Sequence, residues 1–232
     1  VAEPTLVDYQ QSTWADTTSA SEVTPSISWQ TGDIILVVGA TEDSGVTFNT
    51  PTATGLTFSL LTSTGGASNT ATYMWSATAG SNGSGAVTAT HNGGASYAKG
   101  ISAFVFRGSD GLGTAQTITG TTAKTISLTR AQANSHAVCV PADWNQVGDA
   151  SIDPTPGTNA AERVEAQVSG RADFILYSWG DQGATGTTSY GVTNHTGTVD
   201  MSGIVVEITG TAGAATSLPI PSRPNMGAML HF

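Results

Sequence analysis

The chain of 232 residues carries 17 acidic and 7 basic side chains, a formal net charge of −10, yet only 10% of its residues are charged. A surface of that sign repels phosphate backbones and anionic bilayers, and no apolar run approaches the ~20 residues of a spanning helix, so the expected partners include neither nucleic acid nor an inserted membrane. The 38% apolar content arrives in short blocks between clusters of Gly, Ser and Thr, which predicts an all-β domain over residues 1–210 instead of a disordered polar polymer.

In chain order, TLVDYQ (5–10) reads as a first strand, followed by a Ser/Thr-rich connection with Pro25 and then SISW (26–29). The opening VAEPTLVDYQ lacks the basic and apolar regions of an uncleaved secretory signal. DIILVVGA (33–40) is apolar throughout, which predicts a central strand buried on both faces. VTF (46–48), GLTFSLLT (55–62), ATYMWSAT (71–78), AVTAT (86–90) and YAKGISAFVFRG (97–108) follow, divided by Gly/Asn clusters suited to tight turns. GSDGLGTAQTITG reads as a bridge. AKTISLT (123–129), ERVEAQV (162–168), DFILYSW (173–179), TTSYGVT (187–193) and GIVVEITG (203–210) complete the strands. An apolar i, i+3, i+4, i+7 pattern nowhere persists for three turns, so helix is expected only as single turns.

These strands form two series. DIILVVGA recurs as SHAVCVPA (135–142), an offset of 102; Trp75 is matched with Trp179 at 104, and the glycine opening GISAFVFRG with Gly203 at 103. The expectation is a jelly-roll-like antiparallel sandwich of two pseudo-equivalent halves, closing on one shared core around the two tryptophans. Cys139, the only cysteine, lies in AVCVP and is expected to be a buried, inert thiol.

Residues 211–232 differ in kind. Pro219, Pro221 and Pro224 forbid a regular ladder, while Met226, Met229, Leu230 and Phe232 are apolar. Burying those four gives roughly 6–12 kcal/mol gross, against about 7–14 kcal/mol to order the backbone around them. An extended C-terminal tail that anchors by docking into a groove is therefore expected, with Pro219, Pro221, Met226, Met229, Leu230 and Phe232 as its contact residues.

Sites of chemistry are sparse. The four histidines lack HExxH spacing and a CxxC partner, and no GxSxG elbow is present, so neither zinc nor a hydrolase nucleophile has sequence support. Glu42, Asp43, Asp110, Asp143 and Asp181 follow strands; they suit Asx-turns beside Gly, with calcium as the alternative. Asp143, Trp144 and Asn145 open a long polar loop running to Ala160 and form the candidate ligand loop.

The strand GDIILVVGATED, the pair GLTFSLL and ATYMWSATAG, the segment GISAFVFRGSDGLG, and AQANSHAVCVPADWN with its closing GIVVEITG resemble the β-sandwich minor tail proteins of tailed phages infecting actinobacteria. The likeness covers Tyr9 to Gly210, with RGSDGLG and the ADWN turn the most telling. It implies a non-enzymatic virion component near the tail tip, without cofactor or catalytic residues. Expected partners are other virion subunits, copies of itself in a closed oligomer such as a trimer, and host-wall glycan. Capsid decoration and lectin-like binding are the alternative roles.

Overall fold

A computed structural model describes residues 3–65, 69–92, 97–120, 125–143, 153–168, 172–180, 185–193 and 201–210. The first half contains β1 (Thr5–Gln11), β2 (Ala15–Thr17), β3 (Ser21–Trp29), β4 (Ile34–Thr41), β5 (Ser59–Thr64), β6 (Ala71–Thr78), β7 (Gly83–Thr90) and β8 (Tyr97–Arg107). In the second half lie β9 (Ser109–Leu112), β10 (Gln116–Gly120), β11 (Thr125–Arg130), β12 (His136–Asp143), β13 (Asp153–Thr155), β14 (Ala160–Val168), β15 (Ala172–Trp179), β16 (Gly186–Thr193) and β17 (Met201–Gly210). Among the described residues there is no helix. The segment read as a bridge is itself partly strand, because β9 pairs with β17. Pro25, expected in a connection, lies within β3 where the register with β7 shifts between Val23 and Ser26; a bulge is a place in a ladder that tolerates a residue without an N–H.

Each half is a five-strand path with a small sheet beside it. In the first half the order is β1-β8-β4-β6-β5, with β2 also on β8, and β3-β7 forms the small sheet. The second half repeats the plan as β10-β17-β12-β15-β14, with β9 also on β17, and β11-β16-β13 as the small sheet. All pairings are antiparallel. The expected antiparallel β-sandwich with two related halves is what the chain builds.

Three apolar clusters separate four layers. Ile27, Trp29, Val87 and Ala89 of the small sheet meet Ile35, Val37, Trp75, Ala103 and Val105 in the first outer core. Ile126, Leu128, Tyr190 and Val192 meet Ala137, Cys139, Tyr177, Trp179 and Val205 in the second outer core. Between the two large sheets, Leu36, Val38, Met74, Phe104 and Phe106 face Val138, Val140, Leu176, Ile204 and Val206. Alternate residues of β4 thus enter different cores, which explains why all eight are buried. An antiparallel strand ordinarily keeps one face wet; these central strands are dry on both because each large sheet is sandwiched in turn. The tryptophans do not share a core as expected: Trp75 and Trp179 lie in separate outer ones, and the common centre is aliphatic and phenylalanine-rich.

Register shows how closely the halves correspond. Val37 pairs with Trp75 and Ala103; 102 positions on, Cys139 pairs with Tyr177 and Val205. Even the irregularity repeats, with a shift between Leu60 and Thr62 in β5 and between Glu162 and Val164 in β14. A constant offset of 102 corrects the two looser matches. Trp75 corresponds to Tyr177, and Trp179 to Ala77. The two-residue displacement preserves strand parity, so both indoles still point outward. Gly100 corresponds to Ser202, and Gly203 to Ile101, so the two glycines face opposite sides of their sheets. Gly100 opens toward Trp14, where an added Cβ would lie 2.4 Å from the indole, whereas Gly203 faces Ile126.

Polar contacts also join the halves. The Thr70 hydroxyl lies 2.9 Å from that of Ser202 and 3.3 Å from the Ala142 carbonyl. Tyr9 donates toward the Arg163 carbonyl at 3.1 Å, beneath the guanidinium centred 5.6 Å from its ring. Glu3 lies 2.7 Å from His136 Nε2.

Candidate functional site

The expected contact residues Pro219, Pro221, Met226, Met229, Leu230 and Phe232 fall outside the described residues, as do Trp144 and Asn145. Asp143 ends β12, its backbone paired with Met201 and Asp173. Two other places concentrate polar groups.

The first is a charged cluster sealed into one end of the first half. Here β1 passes into β2, β2 into β3, β4 and β7 end, and β8 begins. The Ser12 amide donates to the Ile101 carbonyl, and the Ser12 hydroxyl accepts the Ile101 amide, both at 2.9 Å, which fixes the β1–β2 joint to β8. The fully buried Lys99 donates from Nζ to the carbonyls of Thr17 at 2.7 Å and Tyr97 at 3.3 Å. Glu22, Glu42 and His91 are buried beside it. His91 Nε2 lies 3.8 Å from Glu22 Oε1, its amide donates to Ala20, and its ring stands edge-on to Phe48 at 5.3 Å. Burial pushes the Glu22 carboxyl up to about 7, a rise that the Lys99 charge and a Ser12 hydrogen bond partly oppose. Lys99 is lowered by the same desolvation, against the pull of Glu22, Glu42 and Asp16. Each group disfavours its charged form where water is excluded.

The second place is a groove of about 350 Å³ on the second half, lined by Thr114, Gln116, Ser127, Thr129, Ala131 and Glu207. Glu207 is buried and accepts the amides of Ala131 at 2.8 Å and Gln132 at 3.1 Å. Gly113 borders it so closely that a Cβ there would lie 2.9 Å from Glu207 Oε2. The hydroxyls and amide along this groove suit hydrogen bonding to a polar ligand.

The expected turn chemistry is visible at Asp43, whereas the Asp110 carboxylate reaches across from β9 to β17. Asp43 Oδ1 accepts the Gly45 amide at 2.8 Å, and Asp110 Oδ1 accepts the Thr209 hydroxyl at 2.6 Å. Among the described residues no three His, Cys, Asp or Glu side chains are grouped to hold a metal ion. Cys139 is fully buried and its thiol pushed far up by desolvation, which makes a reactive thiolate inaccessible.

Sequence reasoning passed over the Lys99 cluster. The available signal was a lysine inside the otherwise apolar run YAKGISAFVF, in a chain with only one other, Lys124. Its partners lie on β3 and after β4 and β7, and no spacing announces them. Comparisons with protein families, characterised proteins and solved structures find no match to this chain.

Proposed function

We propose that the chain is a non-enzymatic structural protein of a phage virion, a minor tail or tail-tip component. One observation carries the reading: the segments bearing the resemblance fall on β4, β5, β6, β8, β9, β12 and β17, all strands of the two facing large sheets. The likeness therefore resides in the framework that joins the halves, which is the part an assembly component needs rigid. Residues 211–232 serve as the anchor, with the apolar side chains from Met226 to Phe232 docking on a neighbouring subunit. Self-association in a closed oligomer, such as a trimer, belongs to the same proposal.

The test is a phage carrying a deletion of residues 219–232. Particles purified from it are expected to lack the protein on immunoblots; incorporation at normal copy number removes the anchoring role. A reconstruction of the intact particle tests the wider reading and separates tail from capsid decoration. Failure to find the chain in any particle ends the virion assignment.

The open, hydroxyl-lined groove favours a second reading, contact with host-wall glycan. Gln116→Ala is expected to weaken binding to purified wall polysaccharide if the groove is used, and Trp144→Ala if the 143–145 loop is used. Unchanged binding by both variants removes both sites.

A further inference from the structure

The charged cluster at the end of the first half draws together β2, β3, β8 and the ends of β4 and β7. Glu22 on β3 reaches the Ser12 joint, and His91 at the end of β7 stands 3.8 Å from its carboxylate. Lys99 ties the carbonyl of Thr17 on β2 to that of Tyr97 at the start of β8. Glu42 follows β4 and is buried, and Asp16 on β2 acts on the same ammonium. Farther out, Asp43 acts on Tyr97.

We infer that this end of the sandwich is a proton-operated latch, closed while the Glu22 carboxyl holds its proton beside His91 and loosened when that proton leaves. With Glu22 protonated, the Lys99 ammonium faces the carboxylates of Glu42 and Asp16. Loss of the Glu22 proton adds a further negative charge beside buried Glu42, around an ammonium already shared between Glu42 and the exposed Asp16.

The direction follows from linkage. A carboxyl raised from 4.5 to about 7 in the folded chain binds more protons folded than unfolded between those values. Its contribution to stability is fully present below about pH 4.5 and is lost as pH rises through about 7. The corresponding end of the second half does not repeat this chemistry, because Met201 stands 102 positions after Lys99. This inference does not depend on the virion assignment.

Urea denaturation of the full chain at pH 5, 6, 7 and 8, wild type beside Glu22→Gln, tests it. The unfolding constant of the wild type relative to the variant is expected to rise on the order of 100-fold from pH 5 to pH 8. A ratio independent of pH overturns the latch. Native-state amide exchange, corrected for its intrinsic pH dependence, locates the opening. Protection at residues 12–22 and 97–99 is expected to drop at pH 8 while β12 and β17 keep theirs; equal loss everywhere, or none, contradicts the proposal. Should Glu22→Gln fail to fold, carboxyl-carbon NMR of the labelled wild type decides instead, with a Glu22 midpoint near neutrality expected and one near 4.5 excluding the device.

Discussion

The two halves attach their small sheets to their large ones with a carboxylate that accepts backbone amides, but they take it from different strands. In the first half Asp8, on edge strand β1, accepts the Ser28 amide of β3 at 2.8 Å. In the second the carboxylate is Glu207 on β17, one strand farther in, accepting Ala131 and Gln132 just past β11. Glu207 stands 102 positions after Val105, a fully buried core residue. Moving the clamp inward puts Gly113 beside the carboxylate, and an open groove remains at this seam. The comparison teaches that a repeated backbone register constrains where side chains point, while leaving open which of them performs a given join. The same tolerance permits a buried lysine at the end of the first half where the second half has Met201.

The largest effects should test whether the outer cores are independent. Trp75→Ala and Trp179→Ala are each expected to cost about 3–5 kcal/mol in denaturant unfolding. Because the two side chains occupy separate clusters, the double variant should equal the sum within about 0.5 kcal/mol. A coupling above 1 kcal/mol would show that the outer cores communicate through the central one.

Glu207→Val restores the residue type found at the corresponding place in the first half. It leaves two backbone amides without their acceptor, so a cost of about 2–4 kcal/mol is expected despite better apolar packing. No loss, or a gain, would mean that the clamp is dispensable and that the seam closes without it. Gly100→Ala drives a methyl against Trp14 and should cost about 1–3 kcal/mol. Ser202→Ala, at the corresponding position, gives up the Thr70 hydrogen bond and should cost about 1 kcal/mol. Measured in parallel, this pair shows whether steric or polar contact dominates on the central face. Asp8→Ala should also cost about 1 kcal/mol, less than Glu207→Val, because its partly exposed position lets water reach the freed Ser28 amide. Smallest of all, the Cys139 thiol should show no reaction with a thiol reagent until the chain unfolds, and prompt labelling of the native protein would contradict its burial in the second outer core.

Much of the fold was legible because strands write burial with a period of two. DIILVVGA, apolar without alternation, announces a strand covered on both faces, and β4 stands at the centre of the first large sheet. The offset of the halves was legible at its strongest match, 102, but drifted where it was measured between tryptophans. An indole fills whichever outward position has room, so it can move two residues along a strand without changing face. A core shared by the halves is present, but expecting the two tryptophans in it failed for a related reason: alternate residues of a single apolar run divide between two interfaces, and the run itself does not say how many layers cover it. The Lys99 cluster was the least legible feature, since β2, β3, and the ends of β4 and β7 must converge on β8 before a lysine can be buried beside two glutamates.

Composition and periodicity alone determined that this chain is antiparallel β, built as two related series of strands around dry central ones, because backbone pairing and side-chain alternation are local properties. Tertiary structure decided the four-layer stacking, the separation of the tryptophans into outer cores, and the pairing of Glu22 with His91 beside Lys99. Those depend on which sheet faces meet and how much water they exclude, and neither is encoded at any fixed spacing along the chain.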